Sequence, residues 1–180
     1  MIQKKITKKT LKNFFIRQKD DYSCGPACLA TIARLRGLDA GKNYAFFREL
    51  LGTSKAVGTH PLDIIDACKE HFTVLMEGEQ VYHGGLALAY IVHQSPAVDH
   101  SAVDHYVVFL ALKNDKIMYY DPYDDKIFDD NINNLKWYST ENWSGIKGGL
   151  KQWSVNFRPV KGLTFDFLKQ FAVSRPSSSR

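Results

Sequence analysis

Arg17-Gln18-Lys19-Asp20-Asp21-Tyr22-Ser23-Cys24-Gly25-Pro26-Ala27-Cys28 is the stretch from which the rest of the chain is read. A polar, aspartate-rich loop ends here and an apolar run from Ala27 to Leu35 begins. The run predicts a helix from about Ser23 to Arg36, with Ser23 or Asp21 as N-cap, Pro26 in the first turn and Gly37 just past the end. Cys24 stands where loop becomes helix. Unpaired N–H groups and the helix dipole at that point favour a thiolate over a thiol. Gln18, six residues earlier, brings a neutral amide donor toward the same place. The stretch therefore reads as the seat of a nucleophile, and the other segments are weighed as its partners.

The 180 residues suit one domain with a sizeable core, and an apolar fraction of 44% with 13% aromatics is ordinary for a globular chain. No apolar run approaches the roughly 18 residues of a membrane span. Phe14-Phe15-Ile16 is too short for a signal-peptide core, so the chain is expected in the cytoplasm, with export by another route left open. The net charge of +5 is local: Lys4, Lys5, Lys8, Lys9 and Lys12 precede a body in which 19 basic residues meet 19 acidic ones. That distribution argues against nucleic acid and for a solubilising basic tail over residues 1–12, with peripheral contact to an anionic membrane or partner as the alternative. A polar tail over 174–180 leaves 13–173 as the domain.

Three cysteines make no disulfide framework. Cys68 sits in a helical pattern and reads as a small buried residue, while Cys24 and Cys28 share one helix face. A Cys-x3-Cys pair without a close Cys or His partner is a poor zinc site, and no cofactor is implied.

Asn13 to Arg17 reads as an extended approach segment. Further helices are expected over Lys42–Leu51, over His60–His71 behind a Thr59 cap, and over Leu86–Val92, with a short strand at Phe72–Met76 and a turn at Glu77-Gly78. From His105 the chain becomes β-rich: His105–Leu112, a turn near Lys113–Lys116, Ile117–Tyr120, then strands near Ile127-Phe128 and Trp153–Phe157, with a last helix over Phe165–Val173. Helices first and antiparallel strands later give an α+β fold, the Cys24 helix lying on the sheet.

A cysteine nucleophile needs a base, a group that orients the base, and donors for the oxyanion. His105 opens an apolar strand and is the favoured base. His100, in Val98-Asp99-His100-Ser101, is the rival. Zinc held by His100, His105 and acidic neighbours fits no common spacing. Asp121 ends the return strand and is the natural orienting carboxylate. A two-residue turn at Asn114-Asp115 would put Asp121 on the wrong face, whereas an odd-length turn or a bulge makes it a diagonal neighbour of His105. Gln18 and the Cys24 N–H would then face the oxyanion.

Gln18-x5-Cys24-Gly25-Pro26-Ala27-Cys28-Leu29-Ala30 resembles the signature of the double-glycine leader peptidases, cysteine peptidase family thirty-nine of the papain-like clan. The resemblance continues through Gly58-Thr59-x-Pro61, His105-Tyr106-Val107-Val108, Tyr120-Asp121-Pro122 and Trp143-Ser144-Gly145, and spans roughly 14 to 157. It implies a papain-like fold in which Cys24 is nucleophile, His105 base, Asp121 its partner and Gln18 the oxyanion donor. The substrate would be a peptide or protein cut after small residues such as Gly-Gly. The chain's own Gly84-Gly85 and Gly148-Gly149 are read as turns. The chain departs from the transporter-linked members in having no membrane or ATPase segment, and Ala97–Asp104 resembles an insertion that lines the cleft or closes over it. Two other readings stand beside hydrolysis: acyl transfer or deamidation by the same thiol, and a non-catalytic domain that holds glycine-rich tails.

Overall fold

A computed structural model describes residues 6–38, 41–78, 85–94, 102–135 and 154–174. Among the described residues four helices, α1 (Cys24–Leu35), α2 (Tyr44–Leu50), α3 (Pro61–His71) and α4 (Phe165–Leu168), combine with seven strands. The strands are β1 (Val74–Gly78), β2 (Leu86–Gln94), β3 (Ala102–Lys113), β4 (Lys116–Asp121), β5 (Lys126–Asn131), β6 (Ser154–Phe157) and β7 (Val173–Ser174). They form one sheet in the order β1-β6-β2-β3-β4-β5-β7, antiparallel throughout except where β7 runs parallel to β5. This is the expected α+β arrangement of helices first and an antiparallel sheet after.

The helix α1 is buried along almost its whole length, with Leu29, Ile32 and Leu35 in one core shared with Phe47 of α2 and Ile64 of α3. From the sheet, Leu88, Tyr106, Val108 and Tyr120 enter the same core. Ala87, Ala89, Ile91, Val107, Phe109 and Tyr119 form a second cluster on the other face.

That second cluster explains the largest difference from expectation. Leu86–Val92 is the beginning of strand β2, not a helix. Its alternate residues point into two different cores, so both sets are apolar and no polar face marks the period of two. Alanine and leucine then favour a helix locally, and the ladders to β3 and β6 override that propensity.

Smaller differences have local causes. The cap of α3 is His60, whose Nδ1 accepts the Leu62 N–H at 3.3 Å, while the Thr59 hydroxyl pairs with that of Thr53 at 2.8 Å. Glu77 and Gly78 stay in β1 because they pair with Val155 and Ser154 of β6. The end helix stops at Leu168, and Val173 joins β5 as a strand. Upstream, Leu11–Phe14 forms a 3-10 helix with Leu11 buried, so the apolar body begins before residue 13. Lys4, Lys5, Gly84, His100, Trp143 to Gly145, Gly148-Gly149 and most of the Ala97–Asp104 stretch lie outside the described residues. The last three positions of that stretch open β3.

Packing at the start of α1 depends on a missing side chain. A Cβ on Gly25 would lie 2.8 Å from Thr59 Cγ2, 2.9 Å from its Oγ1 and 2.9 Å from Ile64 Cδ1. Gly25→Ala is therefore expected to lower stability by about 1–3 kcal/mol, read as a lower urea midpoint. An unchanged midpoint would show that the contact is loose.

Candidate active site

Gln18, Cys24, His105 and Asp121 come from a loop, a helix start and two adjacent strands, and all four are buried. The sheet places the last two. The β3–β4 turn is only Asn114-Asp115, with Lys113 opposite Lys116, and Asn114 takes a φ of 55° to close it. Register then shifts between Phe109 and Ala111, so that Leu110 is an extra residue and Val108 faces Tyr120. The bulge supplies the one-residue offset that a two-residue turn lacks. Continued along β3, it makes Asp121 the diagonal neighbour of His105, and His105 Nε2 meets Asp121 Oδ1 at 2.8 Å.

The carboxylate is held from its own side as well. Asp121 Oδ1 accepts the Tyr123 N–H at 2.8 Å and the Asp124 N–H at 3.5 Å, the turn that Pro122 begins. Burial alone would push the His105 imidazole down. The Asp121 carboxylate, followed by a hydrogen bond and charge interaction with Cys24, outweighs burial and raises it to about 10. His105 thus carries its proton at neutral pH, paired with the carboxylate and in contact with the thiol.

Cys24 is the first residue of α1, and Ser23 in the cap position makes no side-chain bond to the first N–H groups. One turn on, Cys28 Sγ donates to the Tyr106 carbonyl at 3.3 Å, fastening the helix to the residue that follows His105. Burial, then the charges of Cys24 and Asp121, push the Cys28 thiol well up. It is a neutral packing group and hydrogen-bond donor. Cys68 is likewise buried, within α3.

Gln18 is tied to the same rim by its backbone, whose N–H donates to the Pro122 carbonyl at 3.0 Å. Its side-chain Nε2 donates to the Asp20 carbonyl at 2.8 Å. An open hollow of about 480 Å3 lies beside it, lined by Arg17, Gln18, Lys19, Asp20, Asp21, Tyr123 and Asp124. The hollow reaches Gln18 but is not lined by Cys24 or His105. Among the described residues no group of three His, Cys, Asp or Glu could hold a metal ion, and no helix is long and apolar enough to cross a membrane.

Helices whose leading end carries a thiol, packed on an antiparallel sheet, give the chain a papain-like fold. Residues 12–146 match the Peptidase C39 family, and the chain belongs to that family of cysteine-type peptidases. No curated protein matches the chain. Among solved structures it is similar to the peptidase domain of Streptococcus ComA, a bifunctional ABC transporter of a quorum-sensing pathway. That likeness has 22% identity and a TM-score of 0.51, over 81% of this chain and 97% of the other. It is also similar to a double-glycine motif protease from an AMS/PCAT transporter, solved with the leader peptide, at 15% identity and a TM-score of 0.45 over 81% and 90%.

The protonation of His105 is directly testable. Its folded value lies above its ordinary 6.5, so its contribution to stability is complete below about 6.5 and lost as pH rises through about 10. In Asp121→Asn, burial opposes the charge with no carboxylate against it. The His105 ring proton followed by NMR is expected to titrate near pH 10 in the wild type and several units lower in Asp121→Asn. Identical titrations would mean that Asp121 does not set the charge.

Proposed function

We propose that the chain hydrolyses peptide bonds with Cys24 as nucleophile, His105 as base and acid, Asp121 as the group that orients His105, and Gln18 as an oxyanion donor. The observation that carries this reading is the buried His105–Asp121 bond of 2.8 Å beside a thiol that itself interacts with His105. Nε2 is engaged by Asp121, which leaves Nδ1 as the ring nitrogen for Cys24. In the first step Cys24 attacks the substrate carbonyl carbon as the thiolate, its proton already on His105, and the C=O electrons move onto oxygen. The oxyanion is met by the Cys24 N–H and by a Gln18 N–H. Collapse breaks the C–N bond, and His105 gives its proton to the departing amine. Water, losing a proton to His105, then attacks the thioester, and the C–S bond breaks to release the acid and restore the Cys24 thiolate beside protonated His105.

Gln18 has two N–H bonds on Nε2. One is spent on the Asp20 carbonyl and sets the plane of the amide, and the other is available for the oxyanion. The family resemblance of the Gln18–Cys24 motif directs the search for substrate to peptides with Gly-Gly before the cut. A backbone without side chains also suits a thiol that is only slightly exposed, at 7%.

A library of peptides carrying Gly-Gly and control dipeptides at the centre, analysed by mass spectrometry, tests the proposal. Cleavage after Gly-Gly by the wild type is expected, with Cys24→Ala at least about a thousandfold slower. Equal cleavage by Cys24→Ala, or products in which an amine or ammonia has been exchanged and no peptide cut, would contradict it.

A further inference from the structure

Helix α2 packs on α1 and makes specific contacts with the loop between Gln18 and Cys24. Tyr44 and Arg48 are four apart and therefore on one helix face. The Tyr44 hydroxyl donates to Ser23 Oγ at 2.7 Å, and Ser23 Oγ donates onward to the Asp20 carbonyl at 3.4 Å. Arg48 Nη1 meets Asp20 Oδ2 at 3.1 Å, and its Nη2 donates to the Tyr22 hydroxyl at 2.9 Å. The Asp20 carbonyl is thus shared by two donors, Ser23 Oγ and Gln18 Nε2.

Gln18 Oε1 is buried and accepts no hydrogen bond among the described residues. The direction of the Gln18 amide is therefore set by Nε2 on the Asp20 carbonyl, and that carbonyl is as well placed as Asp20 itself. We infer that Arg48 and Tyr44 of α2 are positioning residues that hold the Asp20 carbonyl, and through it aim the Gln18 amide at the oxyanion. The inference rests on the mechanism proposed above.

An ion pair as exposed as Arg48 with Asp20, 36% and 21%, contributes little to folding. Its effect lies in geometry, where small displacements of a donor are costly to turnover. The same geometry is irrelevant to alkylation by iodoacetamide, a displacement at a saturated carbon that forms no oxyanion. The two reactions of Cys24 therefore separate a misdirected amide from a damaged thiol.

The test uses the full chain with the fastest-cut library peptide, and compares Arg48→Ala, Arg48→Lys, Tyr44→Phe and Gln18→Ala. Arg48→Ala is expected to lower kcat about 10- to 100-fold, with KM and the iodoacetamide rate near wild type, and Arg48→Lys to recover part of the loss. Tyr44→Phe, which removes only a hydroxyl, is expected to show a smaller loss of the same kind. Two results would overturn the inference while the mechanism stands: turnover in Arg48→Ala within about twofold of wild type while Gln18→Ala loses about a hundredfold, or alkylation falling in parallel with kcat. Wild-type turnover in Gln18→Ala would instead remove the oxyanion role, and this inference with it.

Discussion

The bond between His105 and Asp121 is the constraint to which the rest of the structure conforms. Two ionisable groups at 5% and 0% exposure are costly to bury unless each meets its partner at hydrogen-bond distance. The requirement fixes register. With a two-residue turn at Asn114-Asp115, the strands bring His105 and Asp121 to one face only because Leu110 is extruded as a bulge. The Tyr123 and Asp124 N–H groups then hold the carboxylate from the turn. The pair holds a protonated imidazole beside the Cys24 sulfur, and the proposed chemistry begins from that.

The helix side of the site is fitted to this sheet by contacts that carry no chemistry. Cys28 fixes the axial position of α1 against Tyr106, one residue beyond the base. Gly25 lets Thr59 and Ile64 approach the first turn to distances that no side chain would allow. Gln18 is bound through its backbone to Pro122, the residue after Asp121. Helix, loop and sheet are thus tied to one another within a residue or one helical turn of each proposed catalytic group. That gives a physical reason for a motif that runs from Gln18 to Cys28 instead of consisting of isolated polar residues.

Much of this was legible in the sequence because the signals are local. A cysteine at a loop-to-helix junction, a histidine before an apolar run, and Asp-Pro closing the next strand need no tertiary information, although β3 begins three residues before His105, and the need for His105 to reach Asp121 demanded an offset in register. Elements whose character depends on partners were not legible. Strand β2 resembles a helix because it is buried on both faces, and its two alternating sets belong to different cores. Thr59 has the residue type of a cap, but its hydroxyl is claimed by Thr53 and the cap falls to His60. Tyr44 lies with Phe47 on the buried side of α2. Its hydroxyl contact with Ser23, like the contact of Arg48 with Asp20, spans more than twenty residues, and the only available signal was the spacing of four between them.

The central claim is that His105 activates Cys24. It is tested most directly by the rate of iodoacetamide alkylation at each cysteine, followed by mass spectrometry at neutral pH in the wild type and in His105→Ala. Cys24 should react faster than the buried Cys28 and Cys68 in the wild type, and at least about tenfold more slowly once His105 is removed. Equal Cys24 rates in the two proteins would contradict the account.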